Sequence, residues 1–237
     1  MTWSIVALDR ATGQLGVAVA SRFFAVGALC PAVRAGKGAL STQALVNPLY
    51  ARDGLALLDR GVDAQTVVSE LIAADGGREV RQLHVMDAKG GSARHTGRDC
   101  VPWFGHRSGD GYSMAGNMLA GAEVLEATER AYVDGAALPF AERLIVAMEA
   151  GERAGGDKRG KQSAAILIHG TEDYPLLSMR VDDHPDPLPE LRRVYAASFE
   201  RFQAFMTCLP TRSDPVGITN RAEIDARIEE FKRRAPS

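Results

Sequence analysis

Two hydrophobic periods take turns along this chain, and the order in which they do so restricts the fold more than any other feature. Ile5 and Ala7, then Val17 and Val19, recur with period two, as strands with a buried face do. Between them Asp9-Arg-Ala-Thr-Gly13 is rich in turn formers, with Gly13 suited to a positive φ, so a hairpin is predicted from residue 2 onward. Further short strands are predicted over 32–34 and 38–42. The period then lengthens. A helix is predicted from Pro48 to about Arg60, with Gly61 as its stop. Asp63 caps a second, which carries Val67, Val68, Leu71 and Ile72 on one face. Strand patterns return over 82–86 and 92–96, joined by the loop 87–91, and residues 101–117 read as strand with loops. Two helices, over about 120–133 and 139–151, precede strands over 163–169 and 175–181. The tail from Pro187 reads as helical, broken over 210–215 and ending in a charged helix over about 222–234.

Runs of strands separated by helix pairs, without strict βαβ alternation, imply antiparallel sheets with helices layered outside them. The expected class is therefore α+β, a four-layer αββα sandwich over residues 1–186 followed by a helical C-terminal extension over 187–237.

Composition excludes several functions. Lys and Arg total 28 against 30 Asp and Glu, so the basic excess of a nucleic-acid surface is missing. No apolar run approaches the ~18 residues of a membrane span, and no basic-then-apolar leader opens the chain. Cys30, Cys100 and Cys208 form neither a CxxC pair nor an even framework, which suits buried thiols in a reducing cytoplasm.

Several residues could carry chemistry. A Thr hydroxyl is a poor nucleophile unless a base takes its proton, and an N-terminal residue supplies its own base in the α-amine. Thr2 meets that requirement if Met1 is trimmed. Asn117, beside Gly116, carries an amide able to donate to a developing oxyanion, or to its own turn. In the polar loop 155–161, Lys161 is followed by Gln162, which breaks the P-loop spacing; Asp157 and Arg159 read instead as a local pair or a clamp on a substrate carboxylate. Asp182-Asp-His-Pro-Asp186 contains ligand types, but neighbouring residues cannot all face one ion, so no metal is expected and helix entry is the simpler role. His84, His95, His106 and His169 are scattered and define no triad by spacing.

The segment "TWSIVALDRATGQLGVAVASRFFAVG" resembles the opening of the N-terminal nucleophile (Ntn) hydrolases. With "STQALVNPLYARDGLALL", "REVRQLHVMD", "GNMLAG", "GDKRGKQSAAILI" and "VDDHPDPLPELRRVY", the chain is similar to the DUF1028 family of Ntn-hydrolase-like proteins over about residues 2–195. That resemblance implies the Ntn type of αββα sandwich and places Thr2 at the nucleophile's position. It also puts Thr42 and Gln43 where backbone groups, with Asn117, would form the oxyanion site. Gln43, Arg22, Asp157 and Arg159 are the expected substrate contacts. In the threonine-protease relatives an acidic residue precedes the Ser-Arg of the second strand; here Ala20 does, and only Arg34 and Lys37 lie near the place of their lysine. The expected activity is hydrolysis of a small-molecule amide without a cofactor, in a cytoplasmic homodimer. The alternative is a small-ligand-binding protein that keeps the fold without catalysis.

Overall fold

The computed structural model describes residues 2–234. They divide into two compact units, the first ending at Leu191 and the second beginning at Arg192. The first unit is a mixed α/β fold with two antiparallel sheets. Strands β1 (Thr2–Asp9) and β2 (Gln14–Ser21) form the predicted hairpin, with Gly13 at φ 71° in its turn. They lie at the centre of a six-stranded sheet that also contains β7 (Gly105–Gly109), β8 (Tyr112–Asn117), β9 (Ser163–His169) and β10 (Pro175–Val181), in the order β10-β9-β2-β1-β8-β7. The second sheet runs β3-β4-β5-β6, from Pro31–Arg34, Gly38–Ala44, Arg81–Asp87 and Ser92–Thr96.

Alternation along each strand assigns the faces. Val6, Leu8, Leu15 and Val17 of the larger sheet share one apolar cluster with Val33, Ala39 and Met86 of the smaller. The opposite parity of the smaller sheet, Leu40, Leu83 and Val85, packs with Leu57, Leu58, Val67 and Leu71 from helices α1 (Leu49–Asp59) and α2 (Ala64–Ala74). The predicted cap of α2 is present: the Asp63 carboxylate accepts the Thr66 N–H at 3.0 Å. On the larger sheet, helix α4 (Phe140–Arg153), which packs with α3 (Glu123–Asp134), comes so close to β2 that a Cβ on Gly16 would lie 2.9 Å from Phe140.

Gly38 is constrained in another way. A Cβ there would stand 2.5 Å from the Met86 carbonyl oxygen of the neighbouring strand, a backbone atom that cannot turn aside. Gly38→Ala should therefore destabilise this unit by roughly 2 kcal/mol, the range for overpacking, read as a lower urea midpoint.

Helix α5 (Pro187–Ser198) begins in the first unit and ends in the second. The second unit adds α6 (Phe202–Met206) and α7 (Arg221–Arg234), with Phe199 stacked on Phe231 at 6.2 Å between centroids and Asn220 accepting the Ala222 N–H. Among the described residues no helix is long and apolar enough to cross a membrane.

Candidate functional site

Strand β1 begins in a bed of buried polar side chains between the sheets. Thr2 pairs with Asn117 on β8, and its hydroxyl donates to Ser21 Oγ on β2 at 3.2 Å. Its carbonyl oxygen receives two side-chain amides at 3.4 Å each, Asn117 Nδ2 from its own sheet and Gln43 Nε2 from the other. Both amides also donate to Gln82 Oε1, at 3.0 and 2.7 Å. Gln82 in turn sends its NH2 to the Gly116 carbonyl at 2.9 Å and to Thr96 Oγ1 at 3.0 Å. One orientation of each amide satisfies every contact, so the network fixes its members.

The same bed contains a Ser–His contact that spacing did not reveal. Ser4 Oγ donates to Gln43 Oε1 at 2.7 Å and lies 2.8 Å from His84 Nε2, while His84 Nδ1 lies 3.1 Å from Ser113 Oγ. With the Ser4 proton on Gln43, Nε2–H is the donor to Ser4, and Nδ1 accepts from Ser113. Such a serine is not activated. Burial pushes the His84 imidazole down to about 3, with the nearby His106 adding to the shift, so it is neutral at physiological pH.

Thr42 lies apart from this bed. It faces the α1/α2 side of β4, its hydroxyl donates to the Asn47 carbonyl at 3.2 Å, and its N–H is given to the Cys30 carbonyl. Arg34 and Lys37 flank the β3–β4 turn, and Lys37 is six residues from Gln43. That is roughly 20 Å of extended strand, so the lysine lies far from Thr2. Ala44 and Met118, the residues directly after Gln43 and Asn117, have φ of 68° and 54°. Non-glycine residues in this region hold strain of about 1–3 kcal/mol, which gathers at sites where geometry is over-determined.

A second cluster adjoins the first through Ser21. Asp157 is buried and gathers three donors: the Arg22 N–H at 2.7 Å, the Arg159 N–H at 2.8 Å and Arg159 Nη2 at 3.2 Å. Thus Arg22, Asp157 and Arg159 are together, but here Asp157 ties the loop after β2 to the loop after α4. Beside it is a cavity of about 90 Å³, with Trp3, Ser21, Glu152, Gly156, Asp157 and Lys161 in its wall. Lys161 bridges Glu152 and Asp186, at 3.0 Å to each, and these bonds raise its pKa, Asp186 more than Glu152.

The remaining candidates are dispersed. Asp182 binds Arg180, Asp183 accepts from Gln162, and the Asp186 N–H donates to His184 Nδ1. Burial pushes the Cys30 thiol up to about 12, and burial also raises Cys100, whose Sγ donates to the Arg81 carbonyl. Neither is a reactive thiolate.

The family model described as "Family of unknown function (DUF1028)" matches residues 2–191. The crystal structure of protein SPO2555 from Silicibacter pomeroyi, a member of that family, is 31% identical, with a TM-score of 0.86 over 93% of this chain and 96% of that one. Two structures of Anbu (ancestral beta-subunit) superpose far more loosely. The one from Yersinia bercovieri is 14% identical at a TM-score of 0.37, and a mutant from Hyphomicrobium sp. strain MC1 is 11% identical at 0.39, each over 84% of this chain and 94% of that one. At those scores neither supports an argument. No curated protein matches the sequence.

Proposed function

The chain belongs to the DUF1028 family of unknown function, and from the surroundings of its first strand we propose an activity for it: hydrolysis of a small-molecule amide, with Thr2 as nucleophile once its own amine is free. The observation that carries this reading is the convergence of two buried amides, one from each sheet, on the Thr2 carbonyl. A residue held this firmly by its backbone has its hydroxyl and amine in fixed relation, which is what a self-activating nucleophile needs. The amine takes the hydroxyl proton as Oγ1 attacks the amide carbon, the C–N bond breaks, and the proton passes to the leaving nitrogen. Water then hydrolyses the ester and restores the hydroxyl. No cofactor enters this sequence.

In this reading Gln43 and Asn117 align the nucleophile, and Asn117 serves the oxyanion by exchanging its bond to Thr2. The Thr42 side chain has no direct part, and Arg22, Asp157 and Arg159 shape the rim. The reading includes the Ntn-type αββα sandwich, a cytoplasmic setting and a homodimer.

Intact mass tests the premise and covalent labelling tests the chemistry. The untagged protein should lack Met1, and a β-lactone should acylate the peptide beginning at Thr2. Labelling should rise with pH through the range of a free α-amine, near ~8, and vanish in Thr2→Ala. Retained methionine, or equal labelling of Thr2→Ala, overturns the reading.

One observation favours a second reading, a ligand-binding protein without catalysis. The Thr2 side chain is buried, whereas the adjoining cavity, walled by Trp3, Ser21, Glu152 and Lys161, has room for a small group. In that case ligand binding survives Thr2→Ala and no label appears.

A further inference from the structure

We propose that Asp75 is a positioning residue for the Thr2 site: by holding Arg81 and Asn47 at once, it fixes the strained turn after β4 and so keeps the Gln43 amide on the Thr2 carbonyl. The inference goes beyond the reading above, because it holds whether or not Thr2 reacts.

Ala44 at φ 68° needs a cause, since strained residues persist only where their surroundings over-determine them. Two side chains grip this turn. Arg81, which pairs with Ala44 across the sheet, donates Nη1 to the Leu45 carbonyl, while the Leu45 N–H is given to the Val80 carbonyl at 3.1 Å. Asn47 exchanges bonds with Thr42: its carbonyl accepts the Thr42 hydroxyl at 3.2 Å, and its N–H donates to the same Oγ1 at 3.4 Å. Gln43 and Ala44 lie between the fastened residues Thr42 and Leu45.

Both grips end on one carboxylate. Asp75, directly after α2, accepts Arg81 Nε and Asn47 Nδ2 on the same oxygen, Oδ2, at 3.1 Å each. That oxygen also takes the Tyr50 hydroxyl at 2.8 Å, and Oδ1 accepts the Gly77 N–H at 2.7 Å. The Asp75 and Arg81 side chains are only 14% and 18% exposed, so solvent screens the pair little. Burial opposes the Asp75 charge, yet the bonds from Tyr50, Gly77, Asn47 and Arg81 outweigh it and hold the carboxyl well below the usual carboxylate range. The guanidinium fork lets one residue serve this carboxylate and the Leu45 carbonyl together. Asp75 thus acts on Thr2 through Gln43, whose Nε2 reaches the Thr2 carbonyl at 3.4 Å.

The experiment follows solvent exchange of the Gln43 side-chain NH2 by 1H–15N NMR in full-length protein, beside the backbone amides of Ile166 and Ile168 in β9. Asp75→Asn keeps the shape and removes the charge. It should speed Gln43 exchange roughly tenfold more than β9 exchange, the worth of one charged hydrogen bond. A pair that only stabilised the unit would raise both alike. Arg81→Lys, which keeps the charge but not the fork, should act in the same way, and it carries the test if Asp75→Asn fails to fold. Adding Ala44→Gly, which takes φ 68° without strain, should restore roughly half or more of the lost Gln43 protection. The proposal is overturned if Gln43 and β9 exchange rise together in either folded variant, or if Ala44→Gly restores nothing. A wild type that resists the lactone while these exchange results hold removes the nucleophile alone; an acylated Thr2 with uniform exchange removes the positioning role alone.

Discussion

Gln82→Leu is expected to destabilise the first unit by about 4 kcal/mol, more than any other conservative change in the buried bed. Leucine nearly matches glutamine in volume, so the effect is polar and not a cavity. Gln82 is fully buried, and its removal strips an acceptor from Gln43 Nε2 and Asn117 Nδ2 and a donor from the Gly116 carbonyl. Each group orphaned in a dry core costs roughly 1–3 kcal/mol, partly offset where the amides keep the Thr2 carbonyl. Both tryptophans, Trp3 and Trp103, lie in this unit, so fluorescence in urea follows its unfolding without the second unit. The midpoint should fall by about 1.5–2 M. A double-mutant cycle sharpens the test. Asn117→Leu added to Gln82→Leu removes a donor that has already lost its Gln82 acceptor, so the pair should cost at least 1 kcal/mol less than the sum of the singles. Strict additivity, or a Gln82→Leu effect below 1 kcal/mol, would show that water or local relaxation satisfies these groups.

The elements readable in the sequence were those whose causes are local. β9 and β10 have the bounds their apolar runs predict, and Asp63 caps α2 because an Asx cap needs only the next three residues. The hairpin within 101–117 was less clear, because Gly-His-Arg-Ser-Gly on the edge strand β7 has no apolar alternation to show a strand. The available signal was Asp110-Gly111, a turn dipeptide whose glycine has φ 73°. The site was harder still, because it depends on register between sheets. Ser4, Gln43, Gln82, His84 and Ser113 are polar, and polarity alone suggests exposure. Their parity says otherwise: Ser4 shares a face with Val6 and Leu8, Ser41 and Gln43 with Ala39, and Gln82 and His84 with Met86, all of the inter-sheet cluster. Parity could have shown that these groups point inward. Which amide meets which carbonyl depends on how two sheets stack, and no window of sequence contains that. The resemblance brought Thr2, Gln43 and Asn117 together; it gave no hint of Gln82, the residue that joins them.

Lowering the pH should remove stability earlier than carboxylates alone would allow. His84 titrates near 3 when folded, against about 6.5 for an unperturbed imidazole. Between those values the unfolded chain binds a proton that the folded chain refuses. The stabilising difference is thus complete above about pH 6.5 and is lost progressively as pH falls toward 3, on the order of 5 kcal/mol in all. His106, pushed down to about 4 by burial and by Arg94, and His169, lowered by burial and by Arg34, act with the same sign. The useful window lies between about pH 5 and 6.5, where carboxylates hold their charge and histidines dominate the slope. There one proton of difference changes stability by about 1.4 kcal/mol per pH unit at its steepest. Urea unfolding across this window should show that slope and the contribution of the other two imidazoles. In His84→Asn, whatever its stability at pH 7, the slope should fall by about one proton's worth. An unchanged slope would mean that His84 protonates in the folded protein, with Ser113 turning its hydroxyl to accept. The result also bears on any activity found at Thr2. If His84 stays neutral, loss of activity below about pH 5 follows the unfolding curve, whereas the amine's own titration governs the rise toward pH 8. The two limbs of the profile then have separate origins, and only the alkaline one reports chemistry.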